Sequence, residues 1–165
     1  MERYYEARLS TLTKVSSAFT CLVVTGAVIF LLSINGEQQA EGILSATVVL
    51  VGVALAALFA VRGYVVTERE LLIRRLLWTT RIPLQGLVSA QADPAALKRG
   101  TVRLCGNSGL FAITGFFWNR RIGRFRAYAT DPAATVVLRF ARRTIVVSPS
   151  DPEDFVKDLG LRKNS

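Results

Sequence analysis

The chain has 165 residues, 51% of them hydrophobic, and its 21 basic and 12 acidic side chains give a formal net charge of +9. It contains no histidine, which excludes Ser-His-Asp triads, histidine general acid–base catalysis and imidazole metal sites. Its two cysteines, Cys21 and Cys105, lie far apart and cannot supply a zinc site. The composition therefore argues against an enzyme, a bound metal and any other cofactor.

Two apolar runs dominate the first third of the chain. Residues 15–34 and 42–61 each span 20 positions without a charged side chain, and about 20 residues are needed for a helix to cross a bilayer core. A cleaved secretory signal and a buried core helix fit less well, because a mixed-charge segment precedes the first run and the remaining chain is too short to bury both. We therefore expect a transmembrane helical hairpin at 15–61, with a loop at 35–41.

Basic residues flank the two runs unequally. Three precede the first run, none lies in the loop and five follow the second run: Arg3, Arg8 and Lys14, then Arg62, Arg69, Arg74, Arg75 and Arg81. The positive-inside rule then places both termini in the cytoplasm. We expect a cytoplasmic segment at 1–14 and a cytoplasmic domain at 62–165.

Small or polar residues recur every four positions in both runs, a spacing that lets helix backbones approach closely. In an antiparallel hairpin, facing positions have a constant sum of residue numbers, and three such pairs share one sum. We therefore predict that the helices pack through Ser17, Cys21, Thr25, Gly52, Ala56 and Ala60.

The remaining 104 residues carry 18 basic and eight acidic side chains, a net charge of +10. Such a charge suits an anionic membrane surface or nucleic acid, and we favour the membrane because no helix-turn-helix, zinc or RNP pattern is present. Short runs rich in β-branched residues predict strands at 63–67, 70–76, 79–84, 123–130, 135–141 and 144–148.

The C-terminal segment predicts a short helix. Asp151 can cap it, Pro152 suits its first position and Gly160 favours its end. Phe155 and Leu159 lie on one apolar stripe together with Val156, so the helix is expected to pack against the sheet.

The stretch 103–131 mixes glycines with bulky apolar and basic residues. Gly106, Gly109, Gly115 and Gly123 predict a folded hairpin, and their spacing matches neither GxGxxG nor GxxxxGK[ST], so a nucleotide loop is not expected. Within it, 115–126 (GFFWNRRIGRFR) combines aromatic and basic side chains. We predict a contact with the membrane or a partner through Phe117, Trp118, Arg120, Arg121, Arg124 and Arg126.

An alternative interpretation of the same stretch remains open. Phe116, Phe117 and Phe125 could fill the core of the sheet while the arginines are solvated. Alternation along a strand would then place Arg124 and Arg126 on the face opposite Phe125.

The two apolar runs are followed in order by GYVVTERELLIRR, GNSGLF, AYATD, VVLRF and SPSDPEDF. This order resembles a membrane-anchored bacterial pleckstrin-homology (PH) domain protein, and the resemblance covers about 63–159. The resemblance implies an α+β fold, in which a strongly bent antiparallel sheet of seven strands is closed by a C-terminal helix, and it implies no catalytic residues. It also implies the bacterial inner membrane as the location.

Two function classes follow from these expectations. The first is a non-catalytic, membrane-anchored interaction module that assembles with itself or with a membrane protein. The second is binding of anionic lipid headgroups through residues 115–126, because arginine suits bidentate contacts with phosphate.

Overall fold

The computed structural model describes residues 2–7, 10–33, 39–98, 100–108 and 111–163. These residues form ten β-strands and three α-helices. The helices are α1 (Thr11–Ser33), α2 (Gln39–Leu58) and α3 (Pro152–Lys163). The strands are β1 (Arg3–Glu6), β2 (Val61–Val66), β3 (Glu70–Arg75), β4 (Thr79–Pro83), β5 (Leu87–Ala92), β6 (Thr101–Ser108), β7 (Ile113–Asn119), β8 (Gly123–Ala129), β9 (Val136–Phe140) and β10 (Thr144–Val147). The α+β class expected from the sequence is confirmed.

Helices α1 and α2 correspond to the two apolar runs, and both are long and apolar enough to cross a membrane. Their most apolar segments are Thr13–Leu31 and Ala40–Leu58, of 19 residues each, with mean hydropathies of 1.8 and 2.1. Only 11% of each segment is buried within the protein. A core helix of a soluble domain would be mostly covered, so these exposed apolar surfaces suit a lipid environment.

Both helices begin and end earlier than the predicted spans 15–34 and 42–61. Helix α1 starts early because the hydroxyl of Ser10 caps it, accepting a hydrogen bond of 3.1 Å from the N–H of Thr13. Helix α2 ends at Leu58 because the last apolar residues belong to the domain, where Val61 is buried as the first residue of β2. Ile34 and the predicted loop positions 35–38 lie outside the described residues.

The two helices meet through a face that differs from the predicted one. Cys21, Thr25 and Gly52 are exposed, and a Cβ added at Gly52 would have no atom within 4 Å. The close approach lies at Gly42, where an added Cβ would be 3.4 Å from Leu31 Cδ2. A repeat of small residues fixes a spacing but not the rotation of a helix about its axis, which explains the error. The other members of the predicted face are buried or half-buried: Ser17, Ala56 and Ala60.

The N-terminal segment, assigned to 1–14 from the sequence, contributes a strand that pairs with the domain. Strand β1 pairs antiparallel with β2 and places Tyr5 opposite Tyr64. Tyr5 is buried, and its ring meets that of Phe155 edge-on at 5.0 Å. Because β1 precedes the helical hairpin and β2 follows it, the paired strands lie at the same end of that hairpin.

The strands form two sheets. The small sheet has the order β1-β2-β3-β4, and the large sheet has the order β5-β9-β10-β8-β7-β6. The pairing is antiparallel except between β10 and β8. The resemblance implied one antiparallel sheet of seven strands, so the strand number, the division into two sheets and the parallel pair are corrections. Strands β1, β5, β6 and β7 were not among the six predicted strands, although the hairpin predicted in 103–131 covers β6 and β7. Strand β1 is only four residues long, and β5 and β6 lack a clean apolar alternation.

The main core lies between the two sheets and α3, and its largest fully buried side chains include Tyr64, Phe155, Leu71, Ile73 and Leu138. The hydroxyl of Tyr64 donates to the carbonyl of Tyr128 at 2.6 Å and accepts from the N–H of Ser148 at 3.1 Å. Its polar end is therefore satisfied despite burial. A second core covers the opposite side of the large sheet and comprises Ala96, Phe117, Phe125, Ala127, Val137 and Val146.

Helix α3 closes the main core as the sequence predicted. The carboxylate of Asp151 accepts a hydrogen bond of 3.0 Å from the N–H of Asp154, which is the expected cap. Phe155 is fully buried, and Leu159 is 2% exposed. The predicted end at Gly160 is wrong, because the helix continues to Lys163.

Candidate functional site

Alternation along β7 and β8 divides the aromatic and basic stretch between two faces of the large sheet. Phe117 lies opposite Phe125, and their rings stack at a centroid distance of 5.9 Å. Both are 3% exposed and belong to the second core. Phe117 is therefore a core residue, which corrects its predicted contact with the membrane or a partner.

The other face of β6, β7 and β8 carries two cross-strand rows of exposed residues. Trp118 lies between Val102 and Arg124, and Phe116 lies between Cys105 and Arg126. Tyr128 lies on the same side of the sheet and belongs to the main core. The small sheet does not extend over Phe116 and Val102, which are 51% and 53% exposed. We call this surface the open face; it comprises Val102, Cys105, Phe116, Trp118, Arg124 and Arg126.

Two predicted contact residues lie away from the open face. Arg120 and Arg121 occupy the turn between β7 and β8. The guanidinium of Arg121 forms an ion pair with Asp93, and its backbone N–H donates to the side chain of Asn119 at 2.8 Å. The stretch 115–126 therefore does not form one surface.

A cleft of about 450 Å³ opens between β4 of the small sheet and β8 and β10 of the large sheet. It adjoins the open face at Phe116, and its described lining contains no acidic residue. We call it the arginine cleft, after five of its lining residues: Arg81, Arg124, Arg126, Arg142 and Arg143. Two ion pairs of arginine lie elsewhere in the protein and join Arg3 to Asp154 and Arg121 to Asp93.

Contacts between arginines and rings connect the cleft to the end of α2. Arg126 lies 5.1 Å from the ring of Tyr128, and Arg75 lies 5.3 Å from the same ring. Arg75 is also 5.6 Å from the ring of Phe59, the first residue after α2. Burial and, to a lesser degree, the charge of Arg126 lower the pKa of Arg75. The positive charges of Arg75 and Arg126 therefore repel each other, while the aromatic rings hold the two side chains in place.

Residues 62–163 match the family model described as Bacterial PH domain. The chain belongs to the bacterial PH domain family. The match confirms the resemblance inferred from the sequence motifs. Neither the comparison with curated proteins nor the comparison with solved structures finds a match.

The turn between β3 and β4 of the PH domain projects apolar side chains beside the end of α2. Leu76 and Leu77 are 44% and 71% exposed. Trp78 is 37% exposed, and its ring meets that of Phe59 edge-on at 5.1 Å. Exposed leucines next to a tryptophan match the composition of a membrane interface.

The PH domain is also tied to the beginning of α1. The hydroxyl of Thr13 donates to the carbonyl of Thr130 at 3.1 Å, and the N–H of Phe111 donates to Ser17 Oγ at 3.1 Å. Phe111 has a positive φ of 60°, which bends the chain at the tip of the β6–β7 hairpin toward this helix. Gly109 and Leu110, the neighbouring predicted hairpin positions, lie outside the described residues.

Three residues predicted from the sequence, Trp118, Arg124 and Arg126, lie on the open face. Most of the residues that line the arginine cleft were not predicted. Arg81 alternates with the buried Ile82 in β4, and an Arg-Arg pair precedes β10. These patterns predict that the arginines are exposed to solvent. They do not predict that the arginines lie close together, because that depends on which strands become neighbours. Among the described residues, no group of three or more His, Cys, Asp or Glu side chains is arranged to hold a metal ion.

Proposed function

We propose that this protein is a membrane-anchored, non-catalytic interaction module that assembles through the exposed edge strand β6, with a second copy of the chain as the partner. The helical hairpin would hold the PH domain at the cytoplasmic face of the bacterial inner membrane. This proposal is carried by one observation: β6 is eight residues long, and among the strands that the structure describes it pairs only with β7, so it forms an edge of the large sheet.

Exposed edges of this length recruit another strand unless the sequence protects them. Strand β6 contains no proline and only one charged residue, Arg103. Val102 and Leu104 are 53% and 54% exposed. Besides Arg103, it is protected by a bulge between Arg103 and Cys105, which leaves the segments on both sides of the bulge able to pair.

Charge decides between two ways in which copies could meet. Stacking two open faces would bring Arg124 and Arg126 of each copy together, at a cost of about 2 kcal/mol for each like-charged pair about 8 Å apart at an effective dielectric constant of about 20. Edge-to-edge pairing keeps β8 about 10 Å from the contact in each copy, because neighbouring strands are about 4.8 Å apart. That separation exceeds the Debye length of about 8 Å, so the repulsion is screened.

The test is co-purification of two differently tagged full-length copies from non-ionic detergent. We expect the copies to co-purify, and we expect Val102→Lys to abolish this by placing a charge at the contact. Val88→Lys is the matched control, because Val88 is also an exposed valine on an edge strand, β5, and is 56% exposed. Failure to co-purify, or equal loss in both variants, contradicts assembly through β6.

Anionic lipid binding is the second candidate function. The observation that favours it is the position of Arg124 and Arg126 beside exposed Phe116 and Trp118 on one surface. Arg120 and Arg121 do not contribute to that surface, so the candidate contact is narrower than the stretch 115–126. Because the two apolar helices would insert into vesicles of any charge, the test measures binding of lipid to the full chain in non-ionic detergent.

A further inference from the structure

We infer that the arginine cleft is a binding site for a phosphate-bearing anion, either a phospholipid headgroup or a soluble phosphate compound. This deepens the second candidate function and does not depend on assembly through β6. It also moves the site from the stretch 115–126 to a cleft in which Arg81, Arg142 and Arg143 come from outside that stretch.

The cleft concentrates positive charge without internal compensation. Five arginines line a volume of about 450 Å³, which lies within the range of roughly 300–1,000 Å³ that is typical of ligand sites. No acidic residue is present in its described lining. Exposed arginines usually spread apart or pair with acids, so their convergence indicates a site whose counter-charge comes from a ligand.

Two of the five arginines, Arg126 and Arg143, are held in position by neighbouring groups. Arg126 lies against two rings, 5.1 Å from Tyr128 and 5.2 Å from Phe116. Arg143 lies 4.8 Å from the ring of Phe140 and donates to the carbonyl of Pro83 at 3.3 Å. Guanidinium groups held in this way can present their paired N–H groups to phosphate oxygens with less loss of side-chain entropy on binding.

The chemistry of the cleft favours phosphate over a carboxylate peptide. Thr80 and Thr144 add hydroxyl donors to the guanidinium groups, so the lining is rich in donors that suit a small oxyanion with several acceptor oxygens. A phosphate monoester carries up to two negative charges and three acceptor oxygens. It therefore neutralises more of the cleft in the same volume than one carboxylate can.

A membrane source for the ligand is close at hand. Tyr128, which lines the cleft, lies 5.3 Å from Arg75, and Arg75 lies 5.6 Å from Phe59 at the end of α2. The adjacent β3–β4 turn carries the exposed Leu77. A headgroup at the bilayer surface would thus lie beside the mouth of the cleft, while a soluble phosphate compound would enter from the same opening.

The test uses the full chain in non-ionic detergent and two probes, inorganic pyrophosphate and phosphatidic acid, a lipid whose headgroup is a phosphate monoester. Zwitterionic phosphatidylcholine is the comparison. Binding is followed by the shift in Tm and by native mass spectrometry. The cleft variant is Arg81→Gln/Arg142→Gln, in which both exposed residues lie outside 115–126. The control is Arg120→Gln/Arg139→Gln, which removes the same charge from exposed positions outside the cleft.

We expect saturable binding of at least one phosphate probe, weakened about tenfold or more in the cleft variant and less than about twofold in the control. Selective retention of phosphatidic acid identifies a lipid source, and binding of pyrophosphate alone identifies a soluble one. Without a probe, the cleft variant is expected to have a Tm at least equal to that of the wild type, because like-charge repulsion is reduced. Equal weakening in both variants, or no saturable binding of either probe, overturns the inference.

Discussion

Phe155 is the side chain through which α3 packs against the aromatic residues of the small sheet. It is fully buried, 5.0 Å from the ring of Tyr5 on β1 and 6.2 Å from that of Tyr64 on β2. We predict that Phe155→Ala lowers the unfolding free energy of the full chain by about 3–5 kcal/mol, because it removes a buried ring and leaves a cavity. Chemical denaturation in non-ionic detergent measures this.

Lys157→Ala is the control for that substitution, because Lys157 is exposed on the same helix. Its effect is expected to stay within about 0.5 kcal/mol. A denaturation midpoint that Phe155→Ala leaves unchanged would show that α3 does not seal the core.

Tyr64 gives the domain a dependence on alkaline pH. Burial raises the pKa of Tyr64 to about 12, from an ordinary value of 10.0. Between these two values the unfolded chain loses a proton that the folded chain keeps, so stability is full below about pH 10 and falls by about 1.4 kcal/mol for each pH unit above it. In Tyr64→Phe this contribution is absent.

The measurement is the Tm of the wild type and of Tyr64→Phe at pH 9 and pH 11. At pH 9 we expect the variant to be less stable, since it loses the hydrogen bond to the carbonyl of Tyr128. At pH 11 the difference should shrink. A difference that is the same at both values would mean that Tyr64 does not titrate as described.

Residue-level prediction from the sequence succeeded where alternation alone sets the environment. The expectation that Arg124 and Arg126 lie opposite Phe125 follows from the two-residue period of a strand and is confirmed. Which face of a strand becomes core depends on the element that covers it, and a local sequence pattern does not identify that element. Phe117 was therefore assigned to the wrong environment, although its strand is where the hairpin pattern predicts one.

At the level of elements, the β6–β7 hairpin depends on two facing glycines. Gly106 and Gly115 are register partners with φ values of 125° and 140°. A Cβ added at Gly106 would lie 2.6 Å from the Cα of Gly115, far inside van der Waals contact. We predict that Gly106→Ala destabilises the protein by about 1–3 kcal/mol, through backbone strain and the steric clash.

Gly160→Ala tests the opposite case. Gly160 lies inside α3, and an added Cβ would meet no atom within 4 Å. Replacing a helical glycine by alanine should stabilise the protein by up to about 1 kcal/mol. Thermal denaturation of both variants should give Tm shifts of opposite sign; a Gly106→Ala variant as stable as the wild type would contradict the close approach.

Element boundaries were predictable where a local signal marks them. The cap at Asp151 was recognised because an aspartate before proline has a specific role at a helix start. The cap at Ser10 was missed because the apolar run, rather than the polar residue before it, was used to place α1. Strand β1 has no local signal at all, and its existence follows from pairing with β2 across the entire helical hairpin.

At the level of the whole molecule, the pairing of β1 with β2 requires that both ends of the helical hairpin lie on one side of any membrane that it crosses. This agrees with the positive-inside expectation for the two termini. We predict that, in a Cys21→Ser/Cys105→Ser background, Gln38→Cys is labelled by an impermeant maleimide in intact cells and Ser165→Cys is labelled only after permeabilisation. Labelling of Ser165→Cys in intact cells would show the opposite orientation and contradict the prediction.

Assembly through β6 has its most direct test in Cys105, which is a free cysteine exposed on that edge strand. In native membranes, the Cys21→Ser chain is treated with a short bismaleimide, and a monofunctional maleimide confirms that Cys105 reacts. Edge-to-edge assembly predicts a cross-linked dimer that disappears in Cys105→Ser and is reduced in Val102→Lys. A reactive Cys105 that gives no dimer would contradict it.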